Sequence, residues 1–545
     1  MELVARQPDP AQPGAAQPAV RLHPSRLAGL APGVARPAYD RTALRTGIVH
    51  LGLGAFARGH LAAVNEAALH AGGELAWGIC GVSLRQADTR DALAPQGGLY
   101  TLALRSADAQ GQPRQQLAVI GCLLESLVAP EDPQAVLARI AAADTRIVSL
   151  TVTEKGYCHD PASGALNFKH PDIVHDLGQP AAPRSVVGFL VWGLQRRRAA
   201  GLGPLTLLSL DNLPSNGRLL RGLVLAFAAQ VDAGLADWIG QACTFPCSMV
   251  DRIVPRTTDE DRVAVTQALG LADAWPVLAE PYLEWVVEDT FAAGRPDWAV
   301  GGARFVAEAA PFETLKLRMV NGAHSALAYL SVMAGWATVD QAVSQPLLRR
   351  YLAGLMQTEI APTLPALPGL DLTHYQERLL QRYANPALKH QTRQIAMDGS
   401  QKMPQRLLGT VRDRLAADQP MAGLALAVAG WLHFLRGVDQ AGRRYNIDDP
   451  LADVLAARLD LAEQAARAAG PGPAAASAWT VQMTGLSAVF GDLGQDARFV
   501  RAVAQAVQSL RTLGVAGALE ATLAVMPKSA APVFPAHPPA PGRSR

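Results

Sequence analysis

Residues 47–71 read GIVHLGLGAFARGHLAAVNEAALHA, and the order of elements in this stretch decides the fold. An apolar, β-rich run leads into Gly52-Leu53-Gly54-Ala55-Phe56-Ala57, a G-x-G-x-x-A element, and then directly into a helical pattern over Ala55–Ala71. A strand-to-helix turn of this composition suits the pyrophosphate of a dinucleotide. Gly52 permits the tight turn, Gly54 lets the backbone approach the phosphates, and the small Ala57 lets the helix pack close to the sheet with its first amides aimed at the anion. Gly52, Gly54, Ala55 and Phe56 are therefore the candidate cofactor-binding residues. Such turns also serve packing alone, and what favours nucleotide here is the position after the first strand of a βαβ pattern.

Working outward, three more β-rich runs follow: AWGICGVSL (76–84), RIVSLTVTE (146–154) and PLTLLSLDNL (204–213). Helical patterns such as Ala55–Ala71, Pro130–Ala143 and Ser185–Ala200 lie between them, which is the signature of a parallel sheet covered by helices. From about residue 301 the β signal fades into Ala, Leu, Arg and Gln stretches with helical spacing, interrupted by turns such as PTLPALPGLD (362–371). The expected fold is α/β: a Rossmann-like domain with a mostly parallel sheet over 41–300, then a mainly α-helical substrate and catalytic domain over 301–526. Pro- and Ala-rich segments, 1–40 and 527–545, are expected to be flexible tails. The segment AARAAGPGPAAASA (465–478) reads as a surface excursion between helices.

The end of the second strand carries the signal for cofactor type, because an acid there binds the ribose 2′-hydroxyl and a basic residue accommodates a 2′-phosphate. Here the strand ends Val82-Ser83-Leu84-Arg85, with Asp88 close by. Arg85 would take the phosphate of NADP or be an ordinary solvated side chain, so NAD is expected and NADP stays open.

The chain has 545 residues, 49% hydrophobic and 18% charged, with a formal charge of +2. This is globular composition without the basic surplus or aromatic platforms of a nucleic-acid binder. No window reaches the ~18 uninterrupted apolar residues of a membrane span. The N-terminus lacks an apolar core behind basic residues, so a cytoplasmic protein is expected. The five cysteines are too few and too irregular for a disulfide framework. Cys243 and Cys247 are spaced C-x3-C without a second metal-ligand pair, so no metal is expected.

The most informative segment for chemistry is PFETLKLRMVNGAHSALAYLS (311–331), where polar residues interrupt an apolar helical run. At about 100° per residue, with Lys316 at zero, Glu313 falls near 60°, His324 near 80° and Asn321 near 140°. The four share one face, opposite Leu315, Met319, Ala326 and Leu330. A buried lysine is costly while charged, and the usual response is a lowered pKa, as a general base at neutral pH requires. The plain alternative is a solvated Glu313–Lys316 pair with Asn321 and His324 incidental.

GLGAFARGH, TVTEKGY, DNLPSNG, VDRIVP, EPYLEWVVEDTF and KLRMVNGAHS occur in this order. Together they resemble the mannitol dehydrogenase family of long-chain polyol-specific dehydrogenases, from about residue 37 to 525. The resemblance implies that Lys316 is the general acid/base and that Asn212 and Asn321 polarise the substrate oxygen. It also implies that His324 orients the substrate, that Glu313 influences proton passage at the lysine, and that Asp251 lies close to the active site. No catalytic metal is implied. The family often has His and Ala where this chain has Ala57 and Gly59.

Family members divide between uncharged polyols, such as mannitol and arabinitol, and sugar acids. TEKGYC (153–158), FPCSMVDRIVP (245–255) and MDGSQKMPQRL (397–407) resemble the fructuronate (D-mannonate) reductases more than the mannitol enzymes, where Gly commonly replaces Lys155. The expected substrate is a sugar acid, with a polyol as the alternative. Its carboxylate needs a cation, and Lys155, Arg252, Lys402 and Arg406 are the candidates; a structural ion pair or a cofactor phosphate contact is the other reading for each. A monomer or small homo-oligomer is expected.

Overall fold

The computed structural model describes residues 20–527 apart from 109–111, 161–162 and 368–369. The segments 1–19 and 528–545, which make up much of the two expected tails, lie outside the described residues. The chain forms two compact units: Met1–Arg105 with Gln115–Ala307, and Ser106–Arg114 with Glu308–Arg545. The division falls after residue 307 rather than at 300 because Ala303–Val306 is a strand paired in parallel with Glu284–Glu288.

The first unit is built on five strands: β1 (Thr46–Leu51), β2 (Gly78–Ser83), β3 (Leu123–Val128), β4 (Ile147–Leu150) and β5 (Thr206–Ser209). They lie in the order β3-β2-β1-β4-β5, all parallel, so the chain reverses direction across the sheet at β1. β1, β2, β4 and β5 are buried along their whole length, which is why they read as unbroken apolar runs. In the helix Val186–Ala199, Ser185 caps the N-terminus by accepting from Gly188 N–H. Its last turn carries Arg196, Arg197 and Arg198, which complement the C-terminal dipole.

Residues 20–40, read above as part of a tail, are packed in the described portion. Leu22 is fully buried, Arg21 and Ala35 bridge to Ala272 and Ala118, and Leu22, Leu30, Leu99, Val119 and Leu269 form a small apolar cluster. Leucines spaced through a Pro-rich stretch give no periodic signal but still bury surface.

The second unit is helical. Gly322–Ala334 and Ala422–Phe434 pack on each other at its centre and are buried along nearly their whole length, as enclosed helices rich in apolar residues are. Residues 465–478 are a helical hairpin rather than an excursion. The helices Ala452–Ala468 and Pro473–Thr484 pack on each other, and small residues, Ala466 and Ala476, are among those they bury. Three stretches, Lys316–Asn321, Leu355–Ile360 and Pro404–Leu408, are wider π-helical turns, and the first contacts the other two. Single π-turns inside α-helices are frequent at functional sites.

Candidate active site

In the first unit an open groove of about 1090 Å³ crosses the C-terminal ends of β1, β2 and β4, where open α/β sheets bind ligands. Gly52 and Gly54 form its floor, and Arg85, Asp88 and Lys155 line it. Gly52 has φ +94°, and a Cβ there would stand 2.2 Å from the Thr151 carbonyl oxygen, so only glycine makes the turn. Gly54 is exposed and extended, one residue ahead of the helix Ala55–Gly59. The groove and its glycine floor fit a dinucleotide. Arg85 and Asp88 are both exposed at the end of β2, so an acid and a base both stand where the ribose is read.

The helix predicted over Ala55–Ala71 is broken at His60 (φ −120°, ψ −81°) into Ala55–Gly59 and Leu61–His70. The reason lies in the rest of GLGAFARGH. Buried Arg58 donates to the Trp275 carbonyl, His60 Nε2 donates to the Glu284 carbonyl, and Phe56 stacks on His60 with centroids 5.0 Å apart. These contacts tie the glycine turn to the later strands of the same unit.

TVTEKGY and DNLPSNG are joined by one carboxylate that the sequence did not single out. Buried Asp211 accepts from Val152 N–H (3.0 Å), Thr153 N–H (2.9 Å) and the Tyr157 hydroxyl (2.8 Å). Burial raises its pKa while the three donors oppose the rise. Asn216 then fixes the turn after β5, its amide donating to the Asp211 and Ser248 carbonyls and accepting from Ser248 N–H. Asn212 is exposed on this pinned turn, and Asp251 ends the strand Ser248–Asp251 that Asn216 holds. Replacing Asp211 by Ala leaves buried donors unsatisfied and should destabilise the protein by about 3 kcal/mol, at ~1–3 kcal/mol for each such group. Chemical denaturation of the Asp211→Ala variant would measure this, and a loss below ~0.5 kcal/mol would contradict the pinning role.

Arg252 is corrected from a candidate substrate cation to a structural one. It is buried and donates to the Glu280 and Gly59 carbonyls, and burial pushes its pKa down to about 10. Lys155 is exposed in the nucleotide groove.

In the second unit, Lys316 is 5% exposed, which removes the reading of a solvated Glu313–Lys316 pair. Lys316 opens the first π-turn and Asn321 closes it, with Glu313 half-buried on the preceding helix Ala310–Leu315. A π-turn holds more residues than an α-turn, so Asn321 comes round closer to the direction of Lys316 than the ~140° of an ideal α-wheel. Gly322 is needed next, since a Cβ there would lie 2.8 Å from the Arg406 carbonyl oxygen. The Asn321 Nδ2 and His324 Nε2 atoms are buried without a hydrogen-bond partner among the described residues.

His324 is held in place by residues that the sequence reading missed. Tyr383 stacks on it (centroids 4.5 Å, 16° apart) and donates to the Val320 carbonyl, while His390 meets it edge-on at 5.3 Å. Burial lowers the His324 pKa well below the ordinary histidine range, and His390, Arg406, Arg382 and Lys402 push it the same way. The shift favours the neutral imidazole, which can both donate and accept a hydrogen bond. Arg406 sits in the third π-turn and donates to Ser325 Oγ, and Lys402 donates to the Ile395 and Met397 carbonyls. Burial, then Arg406, brings the Lys402 pKa down to about 8. This unit thus assembles a buried lysine, an amide donor, a neutral imidazole and a set of cations.

Two family models match the chain. The mannitol dehydrogenase Rossmann domain matches residues 46–300, and the mannitol dehydrogenase C-terminal domain matches 308–511. The chain is similar to the D-mannonate oxidoreductase of Escherichia coli K12, with 44% identity over 88% of this chain and 96% of the relative. It is also similar to the mannitol 2-dehydrogenase of Pyrenophora tritici-repentis, with 38% identity over 94% of this chain and 88% of the relative. Among solved structures, that of Pseudomonas fluorescens mannitol 2-dehydrogenase in ternary complex with NAD and D-mannitol superposes with a TM-score of 0.80 at 36% identity, covering 93% of this chain and 100% of the other.

Proposed function

The chain belongs to the mannitol dehydrogenase family, and from that premise we propose that it is an NAD-dependent dehydrogenase interconverting a keto-sugar acid and its secondary alcohol, D-fructuronate and D-mannonate. The observation that carries the acid over an uncharged polyol is the positive charge around His324, where Arg406, Arg382 and Lys402 all act on one buried ring. A polyol has no use for such a set, whereas a carboxylate is stabilised by charge-assisted hydrogen bonds.

Gly52 and Gly54 of the groove, with the first helical residues Ala55 and Phe56 behind them, would hold the pyrophosphate, with Arg85 towards the ribose and Lys155 among the groove's cations. Bound NAD supplies or accepts the hydride. The chain's own residues handle the oxygen and the proton. Lys316 gives the proton to the carbonyl oxygen during reduction and removes it during oxidation, Asn212 and Asn321 donate hydrogen bonds to that oxygen, and neutral His324 orients the substrate. Glu313 stands close in sequence to Lys316 and would pass its proton onward, Asp251 would border the substrate, and Arg406 would take the carboxylate, with the charge of Lys402, held by the Ile395 and Met397 carbonyls, beside it. With NADP as the alternative cofactor, Arg85 is the residue that would accept its extra phosphate.

A steady-state panel of fructuronate, tagaturonate, fructose and xylulose with NADH and NADPH tests the reading. Fructuronate with NADH should give the highest kcat/KM, and better turnover of fructose or mannitol would replace the acid by the polyol. Arg406→Gln should raise KM for fructuronate roughly tenfold to a hundredfold, equivalent to the ~1.5–3 kcal/mol of a charge-assisted bond, with little effect on fructose. Lys402 is charged below its pKa of about 8 and neutral above it. KM for the acid should therefore climb as pH rises through about 8 while KM for fructose does not follow.

A further inference from the structure

We propose that Cys158, His170 and Asp172 form a site for a divalent transition-metal ion of the zinc class in the wall of the groove that passes Gly52 and Gly54, and that a bound ion closes the groove to nucleotide. One donor atom from each of the three residues lies within 4.8 Å of the other two, and all three residues line the groove. Thiolate, imidazole and carboxylate are together a donor set for tetrahedral zinc, with a fourth position left for water. Metal–ligand bonds of ~2.0–2.3 Å put such donors roughly 3.5 Å apart. His170 Nδ1 and Asp172 Oδ2 are already 3.9 Å apart, on side chains 33% and 42% exposed and so with room to rotate.

The local backbone presents the donors. Cys158 has φ +51°, a conformation that few non-glycine residues adopt, and Asn167 N–H donates to its carbonyl. A bridge between His159 and Leu166 closes this loop and returns the chain to the start of the helix Pro171–Gly178, where His170 and Asp172 stand. His170 Nδ1 accepts from Asp172 N–H at 3.2 Å, so it is the unprotonated nitrogen that a metal requires, and an ion would replace that contact. One turn further on, His175 lines the same groove. Its Nδ1 is held at 2.9 Å by Asp176, a buried carboxylate that also accepts from Arg184 N–H, Ser185 N–H and Ser185 Oγ. This donor set takes no part in the proton transfer assigned to Lys316. The closing of the groove rests on the cofactor reading given above, whereas the binding of the ion does not.

Titration of the purified full chain, free of cofactor, with Co²⁺ tests the site. A near-ultraviolet thiolate-to-cobalt band should saturate at one ion per chain and disappear when Zn²⁺ is added. It should be lost in Cys158→Ser and need at least tenfold more cobalt in Asp172→Asn, which also covers the case that the first variant folds poorly. Zn²⁺ should raise KM for NAD severalfold in the parent protein, reversibly with EDTA, and not in Cys158→Ser. Absence of the band in the parent, or its persistence in both variants, would overturn the site. Cobalt bound through Cys158 with an unchanged KM for NAD would overturn the closing of the groove, and NAD-dependent turnover by the metal-free protein would leave the cofactor reading standing.

Discussion

Lys316→Ala is expected to lower kcat by ~10² to 10⁴-fold, the usual range for a positioned proton donor or acceptor, while folding and NAD binding are kept. The side chain is 5% exposed at the start of a π-turn that leads directly into the buried helix Gly322–Ala334. Burying a lysine there costs stability unless its charge is matched or lost, and a surface ion-pair partner would not need such a position. Alcohol oxidation needs the neutral amine, so its rate should rise with pH through one ionisation. Carbonyl reduction needs the ammonium and should fall over the same range. Both dependences should vanish in the variant, and small primary amines should restore part of the rate in proportion to their basicity. A near-normal kcat with an unchanged pH profile would refute the assignment. His324 is a poor substitute for Lys316, since its burial and the nearby cations Arg406, Arg382 and Lys402 lower its pKa and make it a weak base.

How far the sequence reaches depends on whether a residue's partners are near it in the chain. β1, β2, β4 and β5 were legible because they are buried along their whole length and leave uninterrupted apolar runs. β3, with Glu125 and Ser126 in its middle and its central residues partly exposed, carries no such run and was missed. Edge position explains this, since only one side of β3 pairs within the sheet. Lys316, Asn321 and His324 stood out as polar interruptions of one apolar helix, a local contrast. Tyr383 and His390, which hold the His324 ring, come from distant segments and have no marker of their own. Arg252 illustrates the converse. A motif drew attention to it, but its guanidinium is directed at the Glu280 and Gly59 carbonyls, which no sequence spacing reveals. The π-turn itself is also invisible to a fixed 100° wheel, because widening one turn needs no distinctive residue.

Asn321→Ala should separate charge stabilisation from proton transfer on the same turn. Its Nδ2 is buried and has no hydrogen-bond partner among the described residues, an arrangement that costs ~1–3 kcal/mol unless something else repays it. An oxygen that gains negative charge during reduction is such an acceptor, and a donor fixed in advance needs no reorganisation as the charge develops. The variant should therefore lose about 3 kcal/mol of transition-state stabilisation, roughly 10²-fold in kcat. Its pH profile should keep the parent's shape, because an amide does not titrate and Lys316 is still present. Folding stability should hold or improve slightly, since the substitution removes a buried amide nitrogen that has no hydrogen-bond partner among the described residues. That combination tells a substrate-directed donor from a packing residue. A fall in stability comparable to the fall in kcat would mark Asn321 as structural, and a change in the position of the ionisation would make it part of the proton path instead.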